Sequence, residues 1–160
     1  MTLQPSNCDS SLFETSTTTS DFAITEDHSS TNPRLQGKRA LICEDEGVIQ
    51  AQLSRALRQA GMDIIGNASD GHAAVEIALR ERPDVILMDL NIPVVDGMEA
   101  ARRILVEYHP CVVMVTAHSD RDFRRRASEI GASGYVVKPV TADSLLPQLV
   151  DALDTCASSW

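Results

Sequence analysis

Short apolar segments alternate with longer amphipathic segments from Lys38 to near the end of the chain. An apolar run of four to eight residues is typical of a buried strand, whereas apolar residues three and four positions apart are typical of a helix. The predicted strands are 39–43, 63–68, 84–88, 111–115 and 134–137, and the amphipathic segments that predict helices are 46–61, 71–82, 97–108, 121–131 and 143–153. Strictly alternating strands and helices predict an α/β fold, a doubly wound parallel sheet of five strands with helices on both faces.

The last amphipathic segment contains Pro147. In a helix interior the proline ring clashes with the carbonyl group four residues earlier, but it fits the first turn. We therefore expect this helix to begin near Ser144.

The first 37 residues differ in composition from the rest of the chain. They are rich in serine and threonine, acidic, and without an apolar period. Such a segment buries too little apolar surface to offset its ordering entropy. We expect a disordered leader at 1–37, one domain at 38–156, and a short C-terminal tail at 157–160.

The net charge and the cysteine positions limit the molecules that the protein is expected to bind and the compartment in which it is expected to lie. The formal net charge of −9 disfavours direct binding to nucleic acid or to an anionic membrane surface. The first ten residues lack the basic and apolar regions of a signal peptide, and no apolar run reaches the ~20 residues of a membrane span. Cys8, Cys43, Cys111 and Cys156 have no metal-binding spacing, and Cys43 and Cys111 lie in apolar runs that predict core positions. We expect a cytoplasmic protein without membrane insertion.

Chemistry-bearing residues follow the predicted strands. Glu44 and Asp45 follow the first strand, Asp89 the third, Thr116 the fourth and Lys138 the fifth. In doubly wound sheets the functional crevice lies at the carboxyl ends of the strands. These side chains converge if the first strand lies beside the third. Three carboxylates gathered together would repel each other unless a cation is recruited, and hard oxygen ligands suit Mg²⁺.

Together these groups predict a phosphoryl site. A metal and Lys138 can neutralise phosphoryl oxygens, the Thr116 hydroxyl can donate to one, and a carboxylate can act as the nucleophile. The sequence has no P-loop motif and no GxGxxG motif. We therefore expect the phosphoryl group to arrive on another molecule and to be accepted by Asp89.

Four segments carry a family resemblance: "ICEDE", "ILMDLNIPVVDG", "VTAH" and "GYVVKPV". In their order and spacing, residues 38 to about 155 resemble the response-regulator receiver domain of two-component signalling, whose fold is flavodoxin-like, (βα)5. The resemblance implies that Asp89 takes a phosphoryl group from a sensor histidine kinase or a histidine phosphotransfer protein. It further implies only slow self-catalysed phosphorylation and dephosphorylation, so that the protein is not an enzyme in the ordinary sense.

The resemblance also implies roles for the surrounding residues. Asp45, Asp89 and the main-chain carbonyl of Asn91 would bind Mg²⁺, or alternatively Mn²⁺, with Glu44 acting directly or through water. Lys138 and Thr116 would bind phosphoryl oxygens, Tyr135 would be the switch aromatic, Asn91 and His118 would tune the lifetime of the phosphoryl group, and the Lys138–Pro139 bond would be cis. The family pattern usually has aspartate where Glu44 stands, which leaves direct and water-mediated metal contact both open.

The sequence says less about the output domain, the protein target and the oligomeric state. The chain is similar in style to receivers of antiterminator-type regulators, but only "DTCASSW" follows Leu153, so we expect a stand-alone receiver with an unknown protein target. The resemblance also suggests a homodimer through the face of the fourth and fifth helices.

Two other functions remain open at this point. One is an aspartyl-phosphate phosphatase of the haloacid-dehalogenase type, although such enzymes carry a second acid two residues after the nucleophile, where this chain has Asn91. The other is a degenerate receiver that takes no phosphoryl group and acts as a binding module.

Overall fold

The computed structural model describes residues 31–158, which contain five strands and five helices in strict alternation. The strands are β1 (Arg39–Cys43), β2 (Asp63–Ala68), β3 (Val85–Asp89), β4 (Cys111–Thr116) and β5 (Gly134–Val137). The helices are α1 (Gly47–Gln59), α2 (Gly71–Glu81), α3 (Gly97–Glu107), α4 (Arg121–Glu129) and α5 (Ala142–Ala157). Within this described range, no helix has both the length and the apolar character needed to cross a bilayer.

The strands form one parallel sheet in the order β2-β1-β3-β4-β5. The predicted doubly wound fold is confirmed, and β1 lies beside β3 as the convergence of the acidic residues requires. Two strand ends differ slightly from the prediction. Asp89 is the last residue of β3 and pairs with Val115, and Thr116 is the last residue of β4 and pairs with Val137.

Two apolar layers cover the sheet because side chains alternate between its faces. Along β4, Val112 and Met114 face the layer formed by α2, α3 and α4. Cys111, Val113 and Val115 face the opposite layer, which contains residues of α1 and α5. All five residues of β3 are buried, which explains why this central strand is apolar until its final aspartate.

The start of α5 corrects the prediction for Pro147. The Thr141 hydroxyl accepts a hydrogen bond from the amide of Ser144 at 3.2 Å, and the Ser144 hydroxyl accepts one from the amide of Thr141 at 3.1 Å. This reciprocal cap satisfies amides that would otherwise lack a partner, so α5 begins at Ala142 and not near Ser144. Pro147 therefore lies in the second turn, where it is exposed to solvent.

The compact unit extends beyond both expected domain boundaries. It begins at Asn32, and residues 33–37 form a turn in which Leu35 is fully buried against the layer of α1 and α5. Arg34 forms an ion pair with Asp154 on α5, and α5 continues one residue past Cys156. The single apolar residue Leu35 ties this turn to the core. Residues 1–30 of the predicted leader and the last two residues of the predicted tail lie outside the described residues.

The loop between β3 and α3 has a backbone feature that can be tested. Val94 lies there with φ of +71° and its side chain is 80% exposed. A β-branched residue is strained in this left-handed region, and its exposed side chain offers little packing in return. Val94→Asn should therefore raise the free energy of unfolding by about 1 kcal/mol, measured by urea denaturation. Val94→Thr keeps the β-branch and should give no gain. Equal gains for both variants would contradict backbone strain as the cause.

Candidate functional site

Three carboxylates converge where β1 and β3 end. One oxygen from each of Glu44, Asp45 and Asp89 lies within 4.8 Å of the others. Glu44 and Asp89 are buried, whereas Asp45 is exposed to solvent. The parallel pairing of β1 with β3 brings these residues together, because both strands end at the same edge of the sheet.

Lys138 supplies the positive charge at this cluster. It follows β5, and its Nζ atom lies 3.1 Å from Oε2 of Glu44 and 3.4 Å from Oδ2 of Asp89. Nζ also lies 3.9 Å from Oε1 of Glu46, an exposed residue. The amide of Lys138 donates to the carbonyl of Thr116 at 2.8 Å, and the Lys138–Pro139 bond is cis, as the resemblance implied.

The two carboxylate oxygens of Glu44 have different surroundings. Its Oε1 accepts a hydrogen bond from the amide of Glu46 at 3.0 Å. Its Oε2 lies near Lys138 but has no hydrogen-bond partner of good geometry within the described residues. Burial, together with the charge of Asp89, raises the pKa of Glu44 although the Glu46 amide and Lys138 oppose the change. For Lys138, burial lowers the pKa, but the contacts with Glu44 and Asp89 outweigh burial and raise it.

Thr116 is the last residue of the next strand, β4, and His118 lies in the loop that follows it. Thr116 is fully buried, and its Oγ1 accepts a hydrogen bond from the amide of His118 at 3.0 Å. The hydroxyl proton of Thr116 is not used in that bond. The side chain of His118 is exposed at a cavity of about 390 Å³, which is also lined by Leu90 and Phe123.

Asn91 and Tyr135 occupy different surroundings. The amide of Asn91 donates to Oδ1 of Asp89 at 3.3 Å, and its side chain is exposed. Tyr135 is half-buried on β5, away from the carboxylates, and its ring packs edge-on against Phe123 at a centroid distance of 6.4 Å. Arg124 of α4 donates to the Tyr135 hydroxyl at 3.2 Å and lies over the ring.

Two glycines, Gly71 and Gly97, shape this edge of the sheet. A Cβ atom on Gly97 would lie 2.0 Å from the carbonyl oxygen of Asp89, and one on Gly71 would lie 1.8 Å from the carbonyl oxygen of Val95. Asp96 caps α3 by accepting a hydrogen bond from the amide of Glu99 at 3.0 Å, so α3 begins directly at Gly97. The tight contact at Gly97 fixes the backbone that carries Asp89. A glycine directly after an N-cap residue was the available signal, but its contact is visible only in three dimensions.

The donor set fits a hard divalent cation. Carboxylate oxygens are the ligands that Mg²⁺ prefers, and Mg²⁺ keeps several waters, which suits a cluster with one exposed member, Asp45. The buried Oε2 of Glu44 has unused acceptor capacity toward a cation or a metal-bound water. Mn²⁺ prefers the same oxygen ligands.

The amino-acid sequence matches the family described as "Response regulator receiver domain" over residues 40–150. This chain belongs to the response regulator receiver family. Receiver domains bind Mg²⁺ at an acidic pocket, and they are generally phosphoacceptors rather than enzymes and are phosphorylated by histidine kinases.

Curated relatives of this receiver are longer proteins. It is 41% identical over 112 residues to the transcriptional regulatory protein PdtaR of Mycobacterium tuberculosis, covering 70% of this chain and 55% of that protein. It is 42% identical over 102 residues to protein-glutamate methylesterase/protein-glutamine glutaminase 3 of Hahella chejuensis, covering 62% of this chain and 29% of that protein. The chain thus spans about half or less of the length of these relatives. The likeness to antiterminator-type receivers stays a prediction.

Solved structures give the same assignment. The signal receiver domain of a modulated diguanylate cyclase from Desulfovibrio desulfuricans G20 is similar with a TM-score of 0.70 and 29% identity, covering 78% of this chain and all of that one. The chemotaxis protein CheY4 of Vibrio cholerae is similar with a TM-score of 0.68 and 28% identity, covering 72% of this chain and 98% of that one. The flavodoxin-like receiver fold is therefore confirmed.

The raised pKa of Glu44 gives a pH-dependent prediction. A carboxyl group whose folded pKa lies above the ordinary 4.5 holds its proton more tightly in the folded state, so its ionisation lowers stability as pH rises past 4.5. In the presence of EDTA, Glu44→Gln should be more stable than wild type at pH 7, and the difference should shrink toward pH 4. Urea denaturation across this range measures it.

Glu46→Gln is the matched control for that experiment, because Glu46 is exposed and should change stability little. A Glu44→Gln protein that is less stable than wild type at pH 7 without metal would show that the pair with Lys138 outweighs burial.

The contact at Gly97 gives a prediction about packing. Gly97→Ala must push the Asp89 carbonyl away, which should lower the free energy of unfolding by about 1–3 kcal/mol. Gly47→Ala is the matched control, since Gly47 also begins a helix and its added Cβ meets nothing within 4 Å. Thermal denaturation of both variants should show a loss for the first and none for the second; equal behaviour would contradict the assigned contact.

Proposed function

We propose that Asp89 accepts a phosphoryl group from a phosphohistidine on a sensor histidine kinase or a histidine phosphotransfer protein, in a Mg²⁺-dependent reaction. The observation that supports this most strongly is the position of Lys138 Nζ, 3.4 Å from Oδ2 of Asp89 and beside the three-carboxylate cluster. This arrangement combines a nucleophile with a fixed positive charge for the incoming phosphoryl oxygens.

In the proposed reaction a carboxylate oxygen of Asp89 bonds to phosphorus while the bond from phosphorus to the histidine nitrogen breaks. The products are an aspartyl phosphate and a histidine ring that retains the electron pair of the broken bond and takes a proton. Lys138 neutralises one phosphoryl oxygen, and the free hydroxyl proton of Thr116 can be donated to another. Asp45, Asp89 and the Asn91 carbonyl would hold Mg²⁺, with Glu44 acting directly or through water, and the bound ion would supply further charge neutralisation.

In this proposal, phosphorylation is signalled by a conformational change of Thr116 and Tyr135. A phosphoryl group on Asp89 would draw Thr116 toward it and vacate space into which the Tyr135 ring can turn. That rotation would break the Arg124–Tyr135 hydrogen bond and change the surface of α4, β5 and α5. Asn91 and His118 flank the path of an attacking water and would tune how long the phosphoryl group lasts.

A phosphorylation-dependent homodimer through the face of α4 and α5 belongs to the same proposal. Sedimentation of the protein with Mg²⁺, with and without beryllofluoride, tests it. We expect a shift toward dimer only with beryllofluoride, and an unchanged monomer in both samples would remove the dimer from the proposal.

Phosphoryl transfer can be tested directly at Asp89. Acetyl phosphate with Mg²⁺ should add the mass of one phosphoryl group to the protein, and hydroxylamine should remove it because the product is an acyl phosphate. Asp89→Asn should abolish the adduct. Asp63→Asn, an exposed aspartate at the start of β2, should leave it unchanged. Intact-mass spectrometry with peptide mapping reads out both results.

The same assay separates the rival functions. Rapid turnover of an external phosphomonoester would favour the phosphatase, which the exposed amide side chain of Asn91 disfavours. Absence of any adduct from acetyl phosphate and from a phosphorylated histidine donor would favour the binding module.

A further inference from the structure

Two cysteines meet at the edge of the sheet opposite the phosphoryl site. Cys111 is the first residue of β4, and Cys156 lies in the last turn of α5, which runs back from the site edge. Cys156 packs against the apolar layer that contains Cys111, and both cysteines line one cavity at this edge. Burial, and after it the nearby Cys156 thiol, raises the pKa of the Cys111 thiol. Ser133 Oγ lies 2.9 Å from Cys156 Sγ. Both cysteines are free thiols.

The two thiols differ in access. Cys156 is half-buried and lines two adjoining cavities, of about 390 Å³ and about 470 Å³, at this edge. Cys111 lines the second cavity only and is 2% exposed. Core packing accounts for Cys111, as the sequence predicted. It does not explain why a second, more accessible thiol, that of Cys156, lines the same cavity.

We propose that Cys111 and Cys156 form an oxidisable dithiol, which a peroxide small enough to enter these cavities converts into an intramolecular disulfide. This inference is independent of the proposed phosphoryl transfer, because it uses no residue of that site.

The chemistry assigns a different step to each cysteine. The Cys156 thiolate attacks one peroxide oxygen, the O–O bond breaks, and Cys156 becomes a sulfenic acid as hydroxide leaves. Cys111 then attacks the Cys156 sulfur, and the sulfenic oxygen leaves as water. Overall, two thiols and one hydrogen peroxide give one disulfide and two waters. Burial raises the pKa of the Cys111 thiol and shields it from solvent, so peroxide reacts first at the more accessible Cys156.

Oxidation of the full chain carrying Cys8→Ser tests the proposal, since Cys8 lies outside the described residues and could compete. The protein is treated with hydrogen peroxide, unfolded, alkylated and analysed by intact mass and peptide mapping. We expect a loss of two hydrogen atoms, a dithiothreitol-reversible crosslink between the peptides of Cys111 and Cys156, and alkylation of Cys43 alone.

Three variants in the same background keep the test specific. Cys156→Ser, which replaces a half-buried side chain and should fold, should lose the crosslink entirely and leave Cys111 fully alkylatable after unfolding. Cys43→Ala removes another buried thiol and should retain the crosslink, as should Asp89→Asn. Oxidation of Cys156 to sulfinic acid while Cys111 stays a thiol, or disulfides only between chains, would overturn the proposal.

Discussion

The close approach of the Lys138 ammonium to two buried carboxylates is the interaction on which the candidate site depends. Glu44 and Asp89 are both buried at the end of the sheet, where unpaired negative charges would be strongly unfavourable. Lys138 lies between them and compensates part of this charge. Two buried acids and the exposed Asp45 still exceed one lysine in charge. The site is therefore suited to an additional cation and, with it, to an anionic phosphoryl group.

The parallel sheet explains how residues far apart in sequence reach this arrangement. β1, β3 and β5 each end at the same edge, so the residues that follow them share one crevice. Buried apolar layers on both faces hold the strands in register. At the opposite edge the same topology joins the end of α5 to the start of β4, which brings Cys156 to Cys111. The same fold therefore places the carboxylate cluster at one end of the strands and the two cysteines at the other end.

The sequence predicted the features that follow from the hydrophobic period and from the order of the strands. It did not predict the features that depend on a contact between two particular residues. Apolar runs and amphipathic segments were sufficient for the fold, and Glu44, Asp45, Asp89 and Lys138 were predicted to converge from their positions at strand ends.

Contacts between distant residues could not be read in the same way. The burial of Leu35 depends on a turn packing onto α5. The start of α5 depends on the reciprocal cap at Thr141, which outweighs the preference of Pro147 for a first turn. The approach of Gly97 to the Asp89 carbonyl requires knowledge of where the loop returns.

A crystal structure with Mn²⁺ and beryllofluoride tests the central claim most directly, because Mn²⁺ is located by its anomalous scattering. We expect one strong anomalous peak between the carboxylates of Asp45 and Asp89, beryllofluoride bonded to Asp89, and Lys138 Nζ within hydrogen-bond distance of a fluorine. A peak elsewhere, or Lys138 turned away from an unmodified Asp89 under saturating conditions, would contradict it.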